Sequence, residues 1–136
     1  MVSDANLTLQ SAVTKTATFS GSWVPIPGVG GQRGLFAHVA YSAATNASGS
    51  NSVTFSLDVS PDNGSTVYSS ELAGADQVLT LTTSAQVGRL FFPIPLFDKV
   101  LLAGTSPAAR LTCTIAGAGS TPTITYSSTI QPGWTP

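Results

Sequence analysis

The side chains able to do chemistry are few. His38 is the only histidine and Cys113 the only cysteine, and the acids are Asp4, Asp58, Asp62, Glu71, Asp76 and Asp98. A nucleophile–base dyad would have to join Cys113 to His38, since the lone histidine is the only group able to activate a thiol or a serine in that way. The surrounding pattern opposes it. In "RLTCTIA", Cys113 shares a face with Leu111 and Ile115, where a cysteine acts as a small hydrophobe. In "GLFAHVAYSA", His38 points away from the face made by Leu35, Ala37, Val39 and Tyr41. The six acids are scattered over loops and strand ends, with none of the convergence that glycoside hydrolysis needs. The sequence is therefore read as non-enzymatic, with no cofactor. One Cys and one His make no zinc site. Asp58, Asp62 and Asn63 lack the loop pattern and distant Glu of a calcium hand, so no metal site is expected.

One short motif stands out. In "VSPDNGSTVY", Ser60, Asp62, Gly64, Thr66 and Tyr68 fit the S-x-D-x-G-x-T-x-aromatic pattern of the Asp-box, familiar from sialidase propellers. Propellers repeat it once per blade, and it occurs once here. Its side chains hydrogen-bond local backbone and lock a turn, so it is read as a hairpin closed by Asn63-Gly64 with left-handed backbone. Sequons at Asn6, Asn46 and Asn63 carry no weight, because "MVSDANLTLQSAV" has no basic and apolar leader and predicts no secretory signal.

The elements that carry these residues have a period of two. "SVTFSLDVS" alternates Val53, Phe55, Leu57 and Val59 against Ser52, Thr54, Ser56, Asp58 and Ser60. "TITYSSTI" places Ile124, Tyr126 and Ile130 inward, and "QVLTLTT" does so with Leu79 and Leu81. In "VGRLFFPIPLF", Leu90, Phe92 and Ile94 share a face while Pro93 and Pro95 confine the segment to an edge or a bulge. Shorter strands are expected near Thr16–Ser20, Trp23–Ile26 and Thr66–Ser70. With Gly/Pro-rich turns between the runs and almost no helical signal, the pattern predicts one antiparallel β-sandwich of about eight strands, jelly-roll-like, over residues 16–130. The expected core includes Val53, Phe55, Leu57, Leu79, Leu81, Leu111, Cys113, Ile115 and Tyr126. Residues 1–15 and 131–136 lack this patterning and read as an N-terminal arm and a C-terminal tail. Their apolar Leu7, Leu9, Val13 and Trp134 are the candidate partner-binding residues.

Charged residues are 8% of the chain, with a formal net charge of −1. That balance offers no footprint for nucleic acid or an anionic membrane, and no apolar run is long enough to span a bilayer. A soluble protein made in a cytoplasm is expected. So uncharged a surface suits a protein packed against partners, itself included.

The order of segments resembles the jelly-roll cement, or decoration, proteins of tailed-bacteriophage capsids. It runs from "DANLTLQSAVTKTATFSGSWVPIPG" through "LFAHVAYSAATNASGS", "SVTFSLDVSPDNGSTVYSS" and "QVGRLFFPIPLFDKVLLAG" to "ARLTCTIAGAGSTPTITYSSTI". The resemblance implies a structural virion protein on the outer capsid surface, made in the host cytoplasm. Such a protein braces neighbouring major capsid protein subunits and associates as a homotrimer rather than a dimer. The family has no residue-level signature to transfer, and the "QPGWTP" tail has no counterpart in the pattern. A phage tail or fibre module binding host-surface glycan is the rival reading; it calls for exposed aromatics, with Trp23 and Tyr68 as candidates.

Overall fold

A computed structural model describes residues 8–25, 35–69, 76–93 and 107–132. These form two antiparallel sheets packed as a sandwich, with no helix among the described residues. The first sheet, A, has the order β1-β10-β4-β8, from β1 (Thr8–Lys15), β10 (Thr123–Pro132), β4 (Leu35–Thr45) and β8 (Gln86–Pro93). Sheet B is built on β9 (Ala108–Gly117) paired with β5 (Asn51–Ser60). The short β2 (Phe19–Ser20) and β3 (Val24–Pro25) follow one another along the free side of β9. On the far side of β5 lie β6 (Tyr68–Ser69) and β7 (Gln77–Leu81). Each sheet is thus about four strands wide, giving the jelly-roll-like sandwich that the alternation predicts.

The core fills from both inner faces. Val53, Phe55, Leu57, Leu81, Leu111, Cys113, Ile124, Tyr126 and Ile130 are fully buried, while Leu79 and Ile115 pack against them partly covered. Phe55 meets Tyr126 edge-on at 5.2 Å, a favoured geometry for aromatic rings. Pro93 ends β8 at the edge of sheet A, where a missing donor costs nothing.

The ends correct the sequence reading. Residues 8–15 are not an arm but the strand β1, paired with β10. Leu9 is buried in the protein's own core and Val13 packs against it, so the structure turns these two inward rather than toward a partner. At the other end β10 runs on to Pro132, which pairs with Leu35. Among the described residues the strands of the sandwich therefore begin at Thr8 and end at Pro132, beyond the expected 16–130 at both ends. Leu7 and Trp134 lie outside the described residues.

A polar knot closes one end of the sandwich. Buried Asn46 donates from Nδ2 to Asn51 Oδ1 at 3.1 Å and to the carbonyls of Ser48 and Gly49. Asn51 passes the network to Ala116 O at 3.3 Å. Gly119 sits where any Cβ would collide with Asn51 Oδ1, so this turn must be glycine. The Asn46 sequon is thus a structural amide.

Candidate functional site

The Asp-box turn comes first. Its loop, residues 61–67, carries the chain from β5 to β6, and Asn63 (φ 54°) and Gly64 (φ 100°) occupy the left-handed region at its tip. Ser65 N–H donates to Asp62 O at 3.4 Å, so Asp62–Ser65 has the positive-φ pattern of a type I′ turn. That turn is one part of a longer clip. The Ser60 hydroxyl donates to Asp62 Oδ1 at 2.8 Å and accepts the N–H groups of Asp62 at 3.2 Å and Gly64 at 2.8 Å. Thr66 donates its N–H to Asp62 Oδ1 at 2.6 Å and its hydroxyl to Oδ2 at 2.8 Å. The Thr66 N–H, then the Ser60 and Thr66 hydroxyls, hold the Asp62 carboxyl below its ordinary value. With both oxygens engaged, Asp62 is a structural acceptor. Tyr68 packs against the core.

Beside the clip lies a cluster on the outer side of sheet B. The register sets Asp58 directly opposite Arg110, and Arg110 Nε donates to Asp58 Oδ2 at 2.8 Å. The Thr112 hydroxyl donates to the same oxygen at 2.8 Å and lies 3.2 Å from Ser20 Oγ. The Arg110 guanidinium stacks over Trp23, 4.7 Å from the ring centroid. A Cβ on Gly64 would fall 2.5 Å from Trp23 Nε1, so the indole rests directly on the clip. The cluster ties β3, β5, β9 and the loop together. Trp23 and Tyr68, the aromatics expected to be free for a ligand, are both engaged in holding the fold.

The outer face of sheet A differs. Pleating turns His38, Ala40 and Ser42 of β4, Val87, Arg89 and Phe91 of β8, and Thr125 and Ser127 of β10 away from the core. Val87 is 79% exposed and Phe91 55%, among the most exposed large apolar side chains described. The Phe91 ring lies flat on His38, centroids 4.7 Å apart at an interplanar angle of 9°. Burial, and then the nearby charge of Arg89, pushes the His38 imidazole below its ordinary value and keeps it neutral at pH 7. Beside this platform runs a shallow trough of about 430 Å³, floored by Ala12, Ala40, Ser42 and Ser127 and walled by Arg89. Thr14 Oγ1 and Thr125 Oγ1, 2.8 Å apart, bridge β1 to β10 at its far side.

His38 and Cys113 are on different layers: the imidazole is outside sheet A and the thiol is sealed between the sheets. Burial pushes the Cys113 thiol up to about 11, against a smaller opposite pull from the Tyr126 hydroxyl. That hydroxyl faces the sulfur without a well-formed hydrogen bond, and burial raises its own value too. Among the described residues no group of three or more His, Cys, Asp or Glu could hold a metal ion. What sheet A's outer face can do is bind, through a flat ring, small-residue relief, hydroxyls and one guanidinium. The exposed Phe91 was the feature missed as a site residue. The alternation of "RLFFP" puts it outside, but its His38 neighbour depends on strand register.

No protein-family model and no curated protein matches the chain. Among solved structures, the fold is similar to one described as "CBM4 structure and function", a carbohydrate-binding module. The TM-score is 0.51 at 15% identity over 85% of this chain, which spans 60% of that one. At that identity the likeness is one of fold alone.

Proposed function

We propose that this protein is a non-catalytic decoration protein that binds the outer surface of an assembled tailed-phage capsid and braces neighbouring major capsid protein subunits. It docks through the outer face of sheet A and acts in several copies, as a homotrimer. The observation that carries this reading is the pair Val87 and Phe91. They stand exposed on a regular strand of a protein with almost no charge, where a free monomer gains nothing from leaving them in water. The order of strand and turn segments described above supports the same reading.

The mechanism is mass action. A ligand that binds the assembled shell and not the separated subunits stabilises the shell by RT ln(1 + [L]/Kd) per site. Full burial of one large apolar side chain contributes about 1.5–3 kcal/mol, so each copy grips modestly and many copies acting together hold the lattice. A sheet face suits this role because its geometry is set before contact and little ordering entropy is lost on docking.

A glycan-binding module is the second reading, favoured by the Phe91–His38 platform and the likeness of fold to a carbohydrate-binding module. Negative-stain images of shells mixed with the protein separate the two. Regular protrusions on shells, with no retention on immobilised glycans, support decoration. Bare shells with glycan retention support the module.

A further inference from the structure

At the tip of the Asp-box loop Asn63 is exposed and Gly64 half-buried, and this pair is chemically the most fragile dipeptide among the described residues. Glycine offers the least steric hindrance to attack by its own amide nitrogen on the preceding Asn side chain. We propose that Asn63 is a latent spontaneous-modification site, converting to aspartate or isoaspartate through a cyclic imide, and that the Ser60/Asp62 clip holds it closed in the native fold.

The step needs only water. The Gly64 nitrogen gives its proton to a solvent base and attacks Asn63 Cγ. The new N–Cγ bond forms as the Cγ–Nδ2 bond breaks, and Nδ2 leaves as ammonia after taking a proton from water. A second water opens the imide at either carbonyl.

Three observations show the native loop opposing the first move. The Gly64 N–H is donated to Ser60 Oγ at 2.8 Å, so the proton that must leave is engaged and the nitrogen is aimed at Ser60. Gly64 lies against the Trp23 indole, which limits access of base from that side. Asn63 is held at φ 54° in a turn closed by the N–H groups of Ser65 and Thr66, which both donate to Asp62. Reaction therefore requires the clip to open, and its rate reports that opening. The product distorts the turn: isoaspartate inserts an extra backbone carbon, and either product places a second negative charge beside Asp62.

The test is peptide mapping by mass spectrometry of the full-length chain, aged at mildly alkaline pH in native buffer and in concentrated urea. Alkylation of Cys113 reports whether each sample is folded. Native wild type should convert at least roughly tenfold more slowly than the urea sample. Ser60→Ala, or Thr66→Val if that variant does not fold, should convert about five- to tenfold faster than native wild type with Cys113 still masked, the change one lost hydrogen bond supports. Asn63→Gln marks the background. Equal rates in native buffer and urea overturn the proposal, and so do folded Ser60→Ala or Thr66→Val chains that remain as slow as wild type.

Discussion

Replacing Gly64 by alanine adds one methyl group and tests two features of the structure together. The backbone at Gly64 has φ 100°, where an L-residue is strained by about 1–2 kcal/mol. The added Cβ would also fall 2.5, 2.9 and 3.0 Å from Trp23 Nε1, Cδ1 and Cε2. Those are contacts that real Cβ atoms do not make, so the indole must retreat, and displacing a packed ring costs about 1–3 kcal/mol. The sum is roughly 2–5 kcal/mol, above the backbone strain that the sequence alone predicts. For a domain of this size it lowers Tm by about 10 °C. Urea unfolding followed by far-UV circular dichroism measures it, with a shifted midpoint at constant slope. In a Trp23→Ala background the cost should fall to the backbone share, so the double-mutant cycle isolates the contact. A Tm unchanged in Gly64→Ala, or an undiminished cost without Trp23, refutes the reasoning.

Other expectations follow from the same contacts. Arg110→Ala removes the charged partner of the buried Asp58 carboxylate, leaving the Thr112 hydroxyl on the same oxygen, and should cost about 3 kcal/mol in urea titration. Asp58→Ala, which leaves a partly exposed guanidinium, should cost less. The depressed Asp62 carboxyl stabilises the clip above its ordinary value of 3.8, and that contribution disappears as pH falls through the lower folded value. Protection of the Gly64 and Thr66 amides, measured against their intrinsic exchange rates, should therefore fall only below that ordinary value, and Asp62→Asn should remove the pH step. With its thiol pushed up to about 11, Cys113 should resist alkylation at neutral pH until the chain unfolds. Rapid labelling of the native protein would contradict that burial.

Much of the fold was legible because β5 and β9 alternate without interruption, as Val53–Phe55–Leu57 and Leu111–Cys113–Ile115 show. Strand β1 was not. Leu9 and Val13 keep the same parity, but the position between them is the polar, exposed Ser11. The register also shifts twice, between Thr8 and Gln10 and between Gln10 and Val13, so no unbroken apolar alternation announces a strand. The Asp-box corner was readable as a turn, but its extent was not. The Ser60 and Asp62 side chains take hydrogen bonds that a two-residue hairpin would satisfy with backbone. The Trp23–Arg110–Asp58 cluster and the Phe91–His38 stack depend on which residues oppose each other across strands. No local pattern contains that information.

Co-sedimentation of assembled phage shells with the full chain tests the central claim most directly, when wild type is compared with Ala40→Arg, which fills the sheet A trough. Thr114→Arg, exposed on sheet B, serves as the control. The account predicts saturable pelleting of wild type and Thr114→Arg at a fixed ratio to the major capsid protein, higher shell stability on heating, and loss of both with Ala40→Arg. Wild-type protein that stays in the supernatant at every shell concentration would contradict decoration itself. Equal pelleting of Ala40→Arg would contradict docking through sheet A.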